Sequence, residues 1–275
     1  MKRPAALALL AGFFATVLFG QDRSGETSAG FFRPGDVVAL VGGEEIVVMR
    51  DEPSLELQIL RQPGLSGVAF RNLAFEGDTV FEQFRDLNFP SWEDQLKSIG
   101  ATVVVAQFGK MESLAGPDGV SAFAAAYERL LDRLATGPRR FLLLGAPPAR
   151  NAPPESVAPY NEAARELARR RGWAFLGSAK PPWSKASMRA LGLAPVAPAG
   201  PELTDLVRRK NWLWFHYWRP QNWAFLHGDR TEQQSSRDHR DPTIRWFPEE
   251  MKQWLPLVAA KEKEIQSTLA SEPKP

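Results

Sequence analysis

Ala101-Thr102-Val103-Val104-Val105-Ala106 constrains the fold more than any other stretch of this chain. Its three consecutive valines favour an extended backbone. Successive side chains of a strand point to opposite faces, so a run with no polar alternation is covered on both sides. Strands of that kind belong to parallel sheets. Parallel neighbours need long crossovers, and the crossover helices lie on the sheet faces.

Four further runs read the same way: Val37-Val38-Ala39-Leu40-Val41, the stretch around Val68 and Phe70, Phe141-Leu142-Leu143-Leu144, and Trp173-Ala174-Phe175-Leu176. Strands are expected near 37–41, 67–73, 101–107, 140–145 and 173–176. Helical spacing fills the gaps. Residues 54–62 have Ser54 as N-cap and Leu55, Ile59 and Leu60 on one face. Ser91 caps 92–98. Residues 119–135 carry Phe123, Tyr127, Leu130, Leu131 and Leu134, and 159–171 end at Gly172. Alternating strands and helices with right-handed crossovers predict a three-layer α/β/α sandwich on a parallel five-stranded sheet of flavodoxin-like order.

Beyond residue 177 the alternation stops. Residues 178–202 are rich in Pro, Ala and Gly. The remainder is aromatic: seven of the nine tryptophans and all three histidines (His216, His227, His239) lie beyond residue 182. Burial of Trp212, Trp214 and Trp218 against the sandwich is expected, as is a packed His216, with His239 in a solvated loop. Residues 249–268 read as helical packing interrupted at Pro256. At the other end, Lys2 and Arg3 precede an apolar run from Ala5 to Phe19, the pattern of an export signal too short to span a membrane with confidence. The expected organisation is a signal over 1–20, a sandwich over 21–202 and an aromatic, helical extension over 203–275. The expected location is secreted or periplasmic, with no stable membrane span after cleavage and an uncleaved anchor as the alternative.

A net charge of +2 without a basic stripe gives no case for nucleic acid. The absence of cysteine excludes disulfides and thiolate chemistry. No histidine pair has a zinc-type spacing, and nothing calls for a metal or cofactor. Glu44, Glu45, Glu76, Asp78 and Glu112 all follow expected strand ends, where open α/β sheets place their ligands. Such acids suit a hard cation, a cationic ligand or, if about 5–10 Å apart, paired-carboxylate glycoside chemistry. They equally suit solvated loops, the usual place for carboxylates.

Asn72-Leu73-Ala74-Phe75-Glu76-Gly77-Asp78-Thr79 resembles the second sequence block of the SGNH (GDSL-type) hydrolases, Asn-x-Gly-x-Ser-Gly-Asp-Thr, whose glycine N–H helps form an oxyanion hole. The resemblance covers roughly residues 35–177 in order and spacing. It implies that Val41-Gly42-Gly43-Glu44-Glu45 stands for the first block, placing Glu44 where the nucleophilic serine belongs. Gly109-Lys110-Met111-Glu112 stands for the third, placing Met111 where the oxyanion asparagine belongs. The closing Asp-x-x-His has no counterpart, and residues 178–205 contain no histidine. Lys210-Asn211-Trp212-Leu213-Trp214-Phe215-His216-Tyr217-Trp218-Arg219-Pro220-Gln221-Asn222 resembles an extension of SGNH-like proteins from planctomycete-type bacteria, where it directly follows that segment.

Acyl transfer needs a hydroxyl nucleophile, a base and donors for the oxyanion. By the resemblance, only Gly77 survives from these roles. A carboxylate at 44 would repel the developing oxyanion, and Met111 has no donor. The reading is a secreted SGNH-hydrolase-like protein with a vacated site at Gly42, Glu44, Gly77 and Met111, acting in binding or as a structural partner at the cell envelope. Candidate partners are carbohydrate, stacked on tryptophan, or another envelope protein. One alternative is an active carbohydrate or lipid esterase that recruits Ser66, Thr79 or Ser113. The other is a cation-binding or sugar-cleaving module using Glu44, Glu76, Asp78 and Glu112.

Overall fold

A computed structural model describes residues 30–85, 87–177 and 185–271. The export signal expected over 1–20 lies outside these residues, as does Trp183. Five strands, β1 (Val37–Gly42), β2 (Ala69–Asn72), β3 (Val103–Gln107), β4 (Arg140–Leu144) and β5 (Ala174–Leu176), form one sheet. All pairings are parallel, in the order β2-β1-β3-β4-β5. This is the flavodoxin-like order expected from the sequence. In chain order the helices are α1 (Glu44–Val47), α2 (Ser54–Leu60), α3 (Trp92–Ser98), α4 (Val120–Leu134), α5 (Ala158–Arg170), α6 (Lys185–Ala190), α7 (Pro201–Trp218), α8 (Trp246–Lys252) and α9 (Trp254–Ser271).

The strand pleat divides the core in two. Ala39, Val41, Val104, Ala106, Phe141 and Leu143 point into one cluster, closed by α3, α4 and α5 through Leu96, Leu130 and Leu167. Val38, Leu40, Val103, Val105, Leu142 and Leu144 point into the other, closed by α1, α2 and α6 through Ile46, Ile59 and Met188. The expected three-layer sandwich is the observed one.

Helices α7 and α9 belong to neither outer layer alone. Trp214 and Val258 join the first cluster, whereas Leu203, Val207 and Ile265 join the second. The pair therefore clasps the β2 edge of the sheet. An edge strand exposes backbone groups that must find partners. Trp214 Nε1 donates to Asn72 O at 2.9 Å, and Lys210 Nζ lies 3.5 Å from Phe70 O. Lys210 is itself buried and meets Glu56 of α2 at 2.6 Å, where Asn211 Nδ2 also donates at 3.0 Å. Arg71 of β2 pairs with Glu262 of α9 at 2.6 Å.

Four expectations are corrected. Ser54 is the first helical residue of α2, not its cap; Pro53 holds the cap position, and no side chain caps the helix. Pro256 does not interrupt a helix but sits in the first turn of α9, where its missing N–H has no intrahelical partner to lose; the break falls at Gln253. Of the three tryptophans expected to be buried, Trp214 is, Trp218 is half-buried and Trp212 is 39% exposed. Two residues on a helix turn the side chain through about 200°, so Trp212 and Trp214 cannot share a face. His216 is exposed, its ring tilted against Trp212 and Trp254 rather than packed inside the fold.

Candidate functional site

The sheet order sets the loops after β1, β2 and β3 side by side at the carboxyl end. Their closeness needs glycine. A Cβ on Gly42 would lie 2.5 Å from Gln107 O and 2.6 Å from Ile46 Cγ1, and one on Gly43 would lie 2.6 Å from Asp78 O. With the chain this tight, α1 begins immediately after β1 and brings Glu44 and Glu45 to the strand end.

Lys110, from the loop after β3, reaches into this corner. Its Nζ bridges Glu45 Oε1 at 2.6 Å and Glu44 Oε2 at 2.8 Å. Partial burial acts to lower the lysine pKa, but the two carboxylates outweigh it and raise it above the ordinary value. Lys110 is therefore a cation at neutral pH and has no lone pair to act as base or nucleophile. The remaining cavity, lined by Glu44, Asp78, Gln107, Lys110 and Met111, holds about 20 Å³. That is room for about one water, against the ~300–1,000 Å³ of small-molecule sites. Gln107 Nε2 on its wall lacks a hydrogen-bond partner among the described residues.

The other loop acids are engaged by the protein itself. Glu112 is buried and accepts from Val80 N and Gly109 N, both at 2.8 Å, stapling the loop after β2 to that after β3. Asp78 accepts Arg85 Nη1 at 2.7 Å and Nη2 at 2.6 Å. Burial raises the Asp78 carboxyl pKa and prevails over the opposing pull of Arg85. Glu76 meets Arg219 Nη1 at 2.7 Å. Burial acts to raise its pKa, but its own backbone N–H, Arg219 and Arg50 together hold the carboxyl below the usual value. Among the described residues, no group of three or more His, Asp or Glu is placed to hold a metal ion.

Of the residues anticipated as a vacated site, Glu44 and Met111 share the small cavity, and Asp78 and Glu112 also line it. Gly42, the last residue of β1, does not line it; the neighbouring Gly43 does. Gly77 is exposed and does not line the cavity; a Cβ there would meet nothing within 4 Å. Lys110 and its pairing with Glu45 were missed by sequence reasoning. The signal was available: two acids after β1 and a lysine after β3 become neighbours once these strands are adjacent.

The fold is similar to that of solved proteins that include esterases. A catalytic mutant of an acetylxylan esterase from Geobacillus stearothermophilus matches at 14% identity and a TM-score of 0.43, over 61% of this chain and 99% of the other. A psychrotrophic esterase from Pseudoalteromonas sp. matches at 14% identity and 0.37, over 50% and 75%. A gut microbial diltiazem-metabolizing enzyme matches at 18% identity and 0.41; 52% of this chain aligns, spanning 37% of that enzyme's length. No family model and no curated protein matches the chain.

The hydroxyls anticipated from the sequence as alternative nucleophiles are tied up locally or distant. Ser113 Oγ donates to Lys110 O at 2.7 Å, and Thr79 Oγ accepts from Glu82 N at 3.2 Å. Ser66 precedes β2, at the opposite end of the sheet. The histidines sit on the extension: His216 beside Trp212 and Trp254, His227 against Phe89 at 4.9 Å, and His239 exposed, 3.7 Å from Asp238. Among the described residues no helix is long and apolar enough to cross a membrane.

Proposed function

We propose that this chain is an exported SGNH-hydrolase-like protein that no longer hydrolyses esters and serves a binding or structural role at the cell envelope. The observation that carries the reading is Lys110 seated between Glu44 and Glu45. A cation and two carboxylates fill the corner where the resemblance places a neutral serine hydroxyl and its substrate. Attack by Glu44 on an ester would form an anhydride, and the charge of the pair would disfavour a developing oxyanion. Met111 offers no donor in place of an asparagine amide, a loss of about two to three orders of magnitude in rate by itself. Export rests on the apolar run from Ala5 to Phe19 behind Lys2 and Arg3.

The purified protein is expected to leave p-nitrophenyl acetate at its background rate. The Glu44→Ser/Met111→Asn double variant is expected to do the same, because a serine without a base stays a neutral hydroxyl. Turnover by the unmodified protein that disappears on changing Ser113 or Thr79 would replace this reading with that of an active esterase. Mass spectrometry of the protein exported from a bacterial host is expected to find Gln21 as the first residue. An intact Met1 in the cytoplasmic fraction would remove the export claim.

A further inference from the structure

Away from the strand-end corner, over the layer that holds α2 and α6, one open cleft has the size of a ligand site. It holds about 500 Å³, within the ~300–1,000 Å³ typical of small-molecule sites. It opens between α2, α6, the first turn of α7 and the loop that joins α6 to α7. Leu57, Met188, Pro195, Val196, Pro198 and Ala199 give it apolar walls. Arg61 and Lys185 are its charged lining residues, and among the described residues no acid lines it.

The loop side of the cleft is fixed by the protein itself. Pro195 and Pro198 have no N–H to give, so this stretch cannot pair as a strand. Side chains of α2 and the turn after it hold it instead. Gln58 Nε2 and Gln62 Nε2 donate to Ala194 O at 3.2 and 2.9 Å, Gln62 Oε1 accepts from Ala194 N at 2.7 Å, and Arg61 Nη1 donates to Ala197 O. At the other end Thr204 Oγ donates to Gly200 O at 2.9 Å. A wall already in place spares a ligand the cost of ordering it. Lys185, on α6, is exposed and makes no ion pair among the described residues. Its ammonium therefore has N–H groups to give. Arg61 adds a second positive charge to the lining. An apolar cleft with cations and no acid is the complement of an anion that carries an apolar tail.

We infer that this cleft binds a single-tailed amphiphile with a carboxylate head. The head accepts from Lys185 Nζ in a charge-assisted hydrogen bond. The aliphatic tail leaves water against Leu57, Met188 and Val196. A short carboxylate forgoes that burial, and a cationic head meets Lys185 as a like charge. The inference does not depend on whether the strand-end corner turns over esters, because a free carboxylate has no ester bond to break.

Calorimetric titration of the full chain with hexanoate, octanoate and decanoate, each below its micellar concentration and at fixed ionic strength, tests it. Saturable binding is expected, tightening about tenfold for each two methylenes added, at the usual worth of a buried methylene. Decyltrimethylammonium, with the same tail and the opposite charge, is expected to bind at least about tenfold more weakly than decanoate. Lys185→Gln is expected to weaken decanoate by about tenfold and, at an exposed position, to leave thermal unfolding of the free protein unchanged. In ¹H–¹³C spectra the Met188 methyl should shift along the same titration. No saturable binding, an affinity independent of tail length, a cation that binds as tightly as decanoate, an unmoved Met188 methyl or no effect of Lys185→Gln would each overturn the proposal.

Discussion

Lys210 and Glu56 illustrate how much can hang on a single side chain. Both are buried, 2.6 Å apart, with Asn211 completing the carboxylate. Removing one partner leaves an uncompensated charge in the interior, at about 3–5 kcal/mol. Lys210→Met is therefore expected to lower urea unfolding stability by about that amount, and Lys210→Met/Glu56→Leu to recover most of it. A double variant as unstable as the single would remove the ion pair from the account. Glu76 behaves differently, because its carboxylate is half exposed. Its folded pKa lies below the ordinary value, so its stabilisation is present above pH 4.5 and is lost as pH falls through the lowered pKa. Glu76→Gln should cost at most about 1 kcal/mol at pH 7, and the difference from the parent chain should shrink below the carboxylate range. A constant difference at every pH would mean that the effect is not electrostatic. At this scale Glu44 and Met111 could be read from the sequence, because departures from a block are visible residue by residue. The partner of Glu44 could not, since Lys110 meets it only through the adjacency of β1 and β3.

Among the elements, the strands were the most legible. Their apolar runs are continuous, because both faces are covered, and no alternative element fits such runs at that length. Helix ends were read less well. Ser91 does cap α3, accepting from Asp94 N at 3.2 Å. Ser91→Ala is expected to cost about 1 kcal/mol in chemical denaturation, whereas Ser54→Ala, at an uncapped first turn, should be close to neutral. Equal losses at the two serines would contradict the cap assignment. The two residues look alike in sequence. What separates them is the local path of the chain: Ser91 is extended at φ −60° and ψ 162°, while Ser54 has already entered the helix behind Pro53. α1 was missed altogether, since Glu44–Val47 is a single turn with no periodicity to detect.

At the scale of the molecule, α7 and α9 join the two core layers around the β2 edge. Ending the chain after Ala199 would open both layers and bare the backbone of β2. Such a variant is expected to lose cooperative thermal unfolding and to bind a hydrophobic dye; a soluble, cooperatively folding product would show that the extension is dispensable. The aromatic character of this region was plain in the sequence. Its position was not, because nothing in a run of tryptophans says which sheet edge they cover. The clasp also separates what keeps the chain folded from what the strand-end loops contain. Trp214, Val258 and Ile265 grip the sheet from the side, far along the chain from Glu44, Glu76 and Lys110. On the proposed reading, a side chain at the mouth that braces nothing, such as the exposed Met111, can be exchanged while the architecture persists as a scaffold open to new work.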